Sequence, residues 1–395
     1  MKNTQGVHPF PARMAPEIVS HWLKDLHSDA LVLDPMCGSG VVLRQSLASG
    51  RRAVGYDMDP LAVLMSRVWT RATSLKTLVA TAESVVSQAK RKRISYKSLP
   101  WVRVCHETRN FMEFWFAEPQ RTELARLSWS LSEQRSSIAA HTFDGLLLAL
   151  SRTIITKQSG ASLAWDTSHS RPHKKIDVNE YDVYEGFIRA AGRIASTMAV
   201  QRPRRAAKVM CGDGRYMAAT KSSSVDAIVT SPPYLNAIDY MRGHRLALVW
   251  MGYTLPALRA IRAAGIGTEN TRSMQALDET GLASTVPNLQ MLPERQQNIV
   301  RKYSEDSDAL LNEFARVIKP DGRLVLVLAD SVVRGVEVAS SAIFASSAKC
   351  YGFKLVAKET REIPDSKRYL PIRSSGSGIE RRMRCEIVQV FTRSS

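Results

Sequence analysis

Short apolar runs alternate with polar, helix-like stretches along much of this chain. Five of these runs lie at residues 30–33, 53–56, 208–211, 225–229 and 323–328. Each has the length and composition of a buried strand, and helical spacing of apolar residues appears between them, for example at 306–318. Because strands that alternate with helices form parallel sheets covered on both faces, the pattern predicts a doubly wound α/β fold.

Two further apolar runs near the end of the chain, 353–358 and 385–391, also read as strands. The segment between them, 361–384, is polar, basic and rich in Gly and Ser, so no convincing helix joins them. An antiparallel pair is therefore predicted at this end. Together with the five earlier runs, this gives a seven-stranded, mostly parallel sheet.

The stretch from 65 to 205 is too long to be a simple crossover between two strands. Its pattern is mostly helical, so it is predicted to be an inserted helical subdomain. Residues 1–64 and 206–395 would then form the main domain.

The charge balance changes this picture by pointing to a polyanionic partner. The 395 residues include 55 Lys and Arg against 37 Asp and Glu, a net charge of +18. Nucleic acid is the usual partner of such a chain, and solubility alone is the alternative. No apolar run is long enough for a membrane span and the N-terminus lacks a secretory signal, so a cytoplasmic protein without a membrane partner is expected. The five cysteines form no CxxC pair, so no metal is expected.

The segment DPMCGSG, residues 34–40, follows the first strand and precedes a helix. Its glycines let the backbone approach a ligand closely, and the helix N-terminus favours negative charge. The loop is not GxGxxG and lacks the Lys of a phosphate-binding P-loop, so a dinucleotide or nucleoside triphosphate fits less well. An ordinary tight strand–helix turn is the structural alternative.

Three more strand ends carry polar residues. Asp57 ends the second strand and could accept hydrogen bonds from ribose hydroxyls, or else cap the following helix. Asp213 ends the third strand in CGDG and could accept from an adenine amino group, or else form a plain turn. The fourth strand ends in TSPPY, 230–234, a rigid turn with few donors. Because ligands of open α/β sheets bind at the carboxyl ends of the strands, these four ends should line one crevice.

With these residues the chain resembles the S-adenosylmethionine-dependent amino-methyltransferases of DNA, and is most similar to those with SPPY, which chiefly methylate cytosine N4. DPMCGSG resembles their cofactor loop, and HPFPARMAP, 8–16, their motif near the methionine end of the cofactor. KPDGRLVLVLAD, 319–330, is similar to their fifth strand and its lead-in. The resemblance implies a class I, Rossmann-like methyltransferase fold over residues 1–64 and 206–395, with the insertion 65–205 as a target-recognition region.

The resemblance also implies the cofactor, S-adenosyl-L-methionine, and the partner, double-stranded DNA. The implied cofactor-binding residues are Phe10, Pro11, Asp34, Pro35, Gly38, Gly40, Asp57 and Asp213. The implied base-binding and catalytic residues are Ser231, Pro232, Pro233 and Tyr234. The setting would be restriction-modification, with a cognate restriction endonuclease or defence-system subunits as further partners.

An amine conjugated with a base ring is a poor nucleophile and must be oriented before it can accept a methyl group. Ser231 Oγ and the Pro232 carbonyl could accept its two N–H groups, held rigidly by the prolines. Tyr234 could stack on the base, which must leave the duplex to reach the crevice. The chain has no Pro-Cys dipeptide, which argues against methylation of cytosine carbon 5 by a thiolate.

One departure from the family pattern leaves the base open. In most SPPY enzymes the SPPY half precedes the cofactor half, whereas here the cofactor loop comes first. That order is commoner among adenine-N6 enzymes, so adenine N6 is the first alternative. An RNA amino-methyltransferase and a non-catalytic nucleic-acid-binding subunit are the others. The basic segments at 90–93, 168–175, 201–208 and 373–384 could contact phosphates, or could be solvated surface.

Overall fold

A seven-stranded sheet forms the centre of the protein in the computed structural model. The structure describes residues 6–10, 13–71, 74–156, 159–165, 172–199, 203, 205–235, 239–267, 282, 284–363 and 385–394. The strands of the sheet are Leu31–Asp34 (β1), Arg52–Asp57 (β2), Lys208–Cys211 (β3), Val225–Thr230 (β4), Ile318–Leu328 (β5), Phe353–Glu362 (β6) and Cys385–Arg393 (β7).

The strand order is β6-β7-β5-β4-β1-β2-β3. Strand β7 runs antiparallel to both of its neighbours, and the other neighbouring pairs are parallel. The predicted seven-stranded, mostly parallel sheet is therefore confirmed, together with its final antiparallel pair. On one side of β1 lie β2 and then β3. On its other side lie β4 and then β5. The reversal between β1 and β4 is where a ligand crevice opens in such sheets.

Helices cover both faces of the sheet and fill the long insertion. Those of the first βα units are Pro16–Leu23 (α1), Val41–Ala48 (α2) and Pro60–Trp69 (α3). Those between β2 and β3 are Leu75–Arg91 (α4), Pro100–Arg103 (α5), His106–Trp115 (α6), Glu118–Gln134 (α7), Ala140–Ile154 (α8) and Val183–Ala199 (α9). Those that follow β4 are Met241–Leu248 (α10), Leu255–Ala263 (α11), Glu294–Val317 (α12) and Ser340–Cys350 (α13).

Among the described residues, two short antiparallel strand pairs lie outside the main sheet and were not predicted. One pairs Ala164–Trp165 with His173–Lys174, and the other pairs Ser331–Val333 with Val336–Val338. Short 3₁₀ turns are present at Tyr96–Ser98 and Leu289–Met291.

The core has one large apolar cluster on each face of the sheet. Along β5, Val325 and Val327 point into one cluster and Leu324 into the other, as the alternation of side chains along a strand requires. The first cluster also contains buried side chains of the insertion, such as Phe187 of α9. The insertion therefore shares its core with one face of the sheet. The boundary predicted at 64/65 falls inside α3, and the division into two domains stays a prediction.

Candidate functional site

The DPMCGSG loop is fastened to the end of β2 by two hydrogen bonds that its backbone N–H groups donate. The Gly38 N–H donates to the Asp57 carboxylate at 2.8 Å, and the Cys37 N–H donates to the Tyr56 carbonyl oxygen at 2.8 Å. Gly40 precedes α2 with a φ of +88°, which favours glycine. Pro35 is buried, and its carbonyl oxygen would lie 2.8 Å from a Cβ placed on Gly214. The loop is therefore held against the ends of β2 and β3.

Replacing Gly40 by Ala is expected to destabilise the protein by about 2–3 kcal/mol. The new Cβ would lie 2.8 Å from Ser66 Oγ and 3.1 Å from Ser66 Cα, in addition to the strained φ. Gly50→Ala is the matched control, because its φ is +82° with nothing within 4 Å, and it should cost only about 1 kcal/mol. Urea unfolding of both variants measures the difference; equal losses would rule out the contact with Ser66.

Asp57 lies at the end of β2 and is half-buried. One oxygen accepts from Gly38 N–H and the other from Asp59 N–H at 2.9 Å. Burial, with the nearby charge of Asp59, raises the pKa of Asp57 to about 6. The N-cap of α3 is Asp59, whose carboxylate accepts from Leu61 N–H at 2.8 Å. Asp57 is therefore not the helix cap, and its ribose-binding role stays a prediction.

Asp34 ties the end of β1 to the end of β4. Its Oδ1 accepts from the Thr230 hydroxyl at 2.8 Å and from Met36 N–H at 3.2 Å. Thr230 is the first residue of TSPPY, so this hydrogen bond joins the two motifs across the reversal point of the sheet. Burial raises the pKa of Asp34 to about 7. Sequence reasoning placed Asp34 correctly at the strand end but missed Thr230 as its partner.

Asp34→Asn is expected to raise the stability of the protein by about 2 kcal/mol at pH 8. The pKa of Asp34 is raised on folding, so its burial costs nothing below about pH 4, where it is protonated in both states. The cost grows as the pH rises and is complete above about pH 7. Asn keeps an acceptor for Thr230 and carries no charge. Melting temperatures at pH 5 and pH 8 should show the larger gain at pH 8, and an equal gain at both would contradict this.

The SPPY turn is closed by a hydrogen bond between its own side chains. Ser231 Oγ–H donates to the Tyr234 hydroxyl oxygen at 3.1 Å. Pro232 is buried and Pro233 half-buried, and the carbonyl oxygen of Leu235 accepts from the Ser331 hydroxyl at 2.9 Å. Burial raises the pKa of Tyr234, so its hydroxyl is neutral. Because the Ser231 hydroxyl uses its hydrogen on Tyr234, its lone pairs are available to accept from a ligand.

Asp213 lies at the end of β3, as predicted, but its carboxylate is bound by Arg215. Nε of Arg215 donates to both carboxylate oxygens at 3.0 Å, and Nη2 donates to one of them at 2.6 Å. Arg215 also pairs with the buried Asp306 of α12. A cofactor adenine would have to share the Asp213 carboxylate with Arg215, and the adenine-binding role stays a prediction.

Phe10 lies over the cofactor loop and stacks on an aromatic residue that follows TSPPY. Its Cζ would be 3.3 Å from a Cβ on Gly38, and its ring centroid is 4.8 Å from that of Tyr240. The next turn of α10 carries His244, whose Nδ1 lies 2.5 Å from Asp59 Oδ2. Pro11 lies outside the described residues. Tyr240, His244 and Asp59 were not identified from the sequence, although all three are close to predicted motifs.

The N-terminal segment is also tied to the insertion. His8 is buried, and its Nε2 lies 2.9 Å from Ser151 Oγ of α8. Burial lowers the pKa of His8 well below its usual value. The HPFPARMAP segment thereby connects the Gly loop on one side with the helical insertion on the other.

The described ranges contain neither a cluster of metal ligands nor a membrane-spanning helix. No group of three or more His, Cys, Asp or Glu residues is arranged to hold a metal ion there. No helix of the described part of the chain is long and apolar enough to cross a membrane.

The chain is similar in sequence to Type II methyltransferases. It is 20% identical over 395 residues to M.MvaI of Kocuria varians, an alignment that covers 92% of this chain and 85% of that protein. It is 31% identical over 68 residues to M.MjaII of Methanocaldococcus jannaschii, covering 17% of this chain and 13% of that protein. No protein-family model matches the chain. The sequence thus has a weak similarity to one Type II methyltransferase over nearly its whole length and to another over a short segment.

Solved structures of S-adenosylmethionine-dependent methyltransferases are similar only at low scores. One from Methanosarcina mazei gives a TM-score of 0.34 at 9% identity, covering 97% of this chain and 99% of that one. A TehB-like protein from Corynebacterium glutamicum gives 0.30 at 10% identity, covering 95% and 87%. The class I methyltransferase fold rests on the sheet itself, seven-stranded and parallel except for β7.

Proposed function

We propose that this protein transfers a methyl group from S-adenosylmethionine to the exocyclic amine of a flipped DNA base, with cytosine N4 as the favoured atom. The observation that carries the proposal is the hydrogen bond from Thr230 to Asp34. It places the SPPY turn and the DPMCGSG loop side by side at the reversal point of the sheet, where a methyl donor and an acceptor amine have to meet.

The residues around the Gly loop fit S-adenosylmethionine. The Asp57 carboxylate accepts two backbone N–H groups and keeps further lone pairs for ribose hydroxyls. Gly38 allows the Phe10 ring to approach the loop closely, and Phe10 offers an apolar face. Asp34, Pro35 and Asp213 would complete this set, as would Pro11. When bound, the cofactor supplies an electrophilic methyl group.

The SPPY turn would hold the acceptor amine. Ser231 Oγ directs its own hydrogen to Tyr234 and so presents lone pairs to one N–H of the base. The Pro232 carbonyl would accept the other N–H. Because Pro232 and Pro233 fix the backbone, both acceptors are held in place before the base arrives, which reduces the reorganisation needed for the reaction. Tyr234 would contact the face of the base.

Adenine N6 is the second candidate, and one observation favours it. The cofactor loop at 34–40 precedes SPPY at 231–234, an order commoner among adenine-N6 enzymes. Ser231 stands against it, because those enzymes usually carry Asp or Asn at this position. We place cytosine first because Ser231 is part of the site itself.

The wider setting belongs to the same proposal. Double-stranded DNA would be the partner, and the insertion 65–205 would help to recognise the target sequence. The likeness to M.MvaI supports a restriction-modification setting, with a cognate endonuclease or defence-system subunits as partners and the cytoplasm as the location.

The test is an incubation of the protein with isotopically labelled S-adenosylmethionine and mixed genomic DNA, followed by digestion to nucleosides and mass spectrometry. Label in N4-methylcytosine would support the proposal. Label in N6-methyladenine would transfer it to adenine. Label in RNA alone, in a parallel reaction, would overturn the assignment to DNA.

A further inference from the structure

Four arginines gather on α10 and α11, the helices that follow the SPPY turn. They are Arg242 and Arg245 of α10 and Arg259 and Arg262 of α11, here called the arginine cluster. The cluster adjoins the candidate site, because the same α10 carries His244, which contacts Asp59 at the end of β2. The N-cap residue of α10, Tyr240, stacks on Phe10 above the Gly loop.

The arginine cluster has more positive charge than the neighbouring carboxylates neutralise. Asp239 pairs with both Arg242, at 2.8 Å, and Arg262, at 2.6 Å. Glu107 of α6 pairs with Arg259 at 2.5 Å. Two carboxylates thus serve three guanidinium groups, and within the described residues none pairs with Arg245.

Among the described residues, no carboxylate lies within ion-pair distance of Arg245. Its guanidinium carbon lies 5.1 Å from the ring centroid of the buried Phe111, and its Nε is buried without a hydrogen-bond partner in the described part of the structure. Burial lowers the pKa of Arg245, and the other three arginines lower it further against the opposing charge of Asp239. A half-buried cation in this state costs stability, so a negatively charged ligand would relieve it.

We propose that the arginine cluster binds a phosphate of the DNA backbone beside the flipped base, with Arg245 as its central contact. This inference rests on the proposed function, since it names the surface that holds the substrate duplex of the same site. The Phe111 ring holds the Arg245 guanidinium in place, and its two Nη groups are donors that match the oxygens of a phosphodiester. Such contacts position the duplex and carry no sequence information.

The position of α10 gives the phosphate contact a role in methyl transfer. His244 and Arg245 are consecutive residues of α10. The same helix therefore contacts Asp59, beside the candidate cofactor site, and carries the arginine proposed to bind the phosphate. A duplex anchored at Arg245 would therefore be aligned with the SPPY turn. Arg245 is on this view a positioning residue.

The experiment measures the binding of a fluorescently labelled DNA duplex of random sequence to the full-length protein across a salt series. Arg245→Gln is expected to weaken binding about tenfold and to reduce the slope of log K against log salt by about 0.9, the value for one phosphate contact. Arg245→Lys keeps the charge and should retain most of the slope. Arg52→Gln is the matched control, because it removes one exposed cation at the amino end of β2, the edge of the sheet away from the site, and should match the unmodified protein.

Thermal unfolding separates this role from a structural one. If Arg245 serves DNA binding and not folding stability, Arg245→Gln should leave the melting temperature of the free protein unchanged or raise it, because a half-buried cation without an ion-pair partner is removed. A lowered melting temperature with an unchanged salt slope would overturn the inference. So would equal effects of Arg245→Gln and Arg52→Gln on DNA binding, or a loss of affinity seen with RNA and not with DNA.

Methyl transfer by the unmodified protein tests the proposed function independently of the phosphate site. Transfer to DNA with normal DNA binding by Arg245→Gln would refute the phosphate site and leave the enzyme assignment intact. DNA binding that depends on Arg245, without any transfer, would refute the enzyme assignment and support the phosphate site.

Discussion

Replacing Ser231 by Ala is expected to lower the rate of methyl transfer by about 10²–10³-fold, the usual cost of losing one preorganised polar contact to a reacting group. Ser231 Oγ gives its hydrogen to Tyr234 and so faces a ligand as an acceptor. Without it, one N–H of the base amine would be left unpaired in the crevice, and the nitrogen lone pair would no longer be directed at the methyl group. Affinity for S-adenosylmethionine should not change, because the residues proposed to hold the cofactor lie in the N-terminal segment, in the Gly loop and at the ends of β1, β2 and β3.

Single-turnover transfer and calorimetric cofactor binding measure the two halves of this prediction. Ser331→Ala is the matched control: the Ser331 hydroxyl donates to the Leu235 carbonyl and supports the same segment from behind. Its loss should reduce the rate far less than that of Ser231. Tyr234→Phe removes the oxygen that receives the Ser231 hydrogen and should give an intermediate loss. Normal turnover by the Ser231 variant would show that the SPPY turn is only structural.

Replacing Asp57 by Asn is expected to weaken S-adenosylmethionine binding by about 10–100-fold, corresponding to about 1.5–3 kcal/mol for hydrogen bonds to a charged group. The Asp57 carboxylate holds Gly38 N–H and Asp59 N–H and is proposed to accept from the ribose. An amide has only one acceptor oxygen, so its NH₂ group would face either a backbone N–H or the ribose. The hydrogen bonding of Asp57 to the loop and to the cofactor would therefore be weakened.

The same carboxylate predicts a pH dependence. Its pKa is raised to about 6, so the ionised, accepting form dominates above that pH and is lost as the pH falls through it. Cofactor affinity of the unmodified protein should therefore fall from pH 8 to pH 5, and that of the Asp57→Asn variant should fall less. Asp59→Asn keeps an N-cap for α3 but removes a charge that raises the pKa of Asp57, so in that variant the affinity should fall at a lower pH. Unchanged affinity in the Asp57→Asn variant at pH 8 would remove Asp57 from the ribose role.

The strands could be predicted because each is short, apolar and followed by polar residues. All seven predicted runs coincide with strands of the sheet, with ends that differ by a few residues. β5 begins earlier than predicted, at Ile318, and α12 begins at Glu294 although its first residues are strongly polar. The apolar spacing continues there through Ile299 and Tyr303, which are buried, but it is diluted by charged neighbours.

The side-chain partnerships at the site could not be predicted, because they join residues far apart in the chain. Nothing near Asp34 in the sequence indicates Thr230, and nothing near Asp59 indicates His244. Arg215 is only two residues from Asp213, yet its capture of that carboxylate depends on α12 supplying Asp306. Polar residues at strand ends can be found from local pattern, whereas their hydrogen bonds are set by tertiary packing.

The basic segments of the insertion illustrate the same limit. Lys92 pairs with Glu133 at 2.6 Å, and Lys90 lies 5.5 Å from the ring centroid of Tyr184. Part of the charge at 90–93 is therefore used in packing the insertion, while contact of the insertion with DNA stays a prediction. The segment 373–384 and the first half of 168–175 lie outside the described residues.

Because the hydrogen bond between Asp34 and Thr230 joins the ends of β1 and β4, the geometry of the site would survive a circular permutation of its two halves. Strands β1 and β4 are neighbours in space because of their pairing, whichever is synthesised first. A chain in which the SPPY half came before the cofactor half would bring the same two side chains together. The order of the two motifs in the chain therefore reflects how the gene was assembled and has no physical effect on a bound base. Selection for cytosine or adenine would act on the residues proposed to contact the base, of which Ser231 is the first.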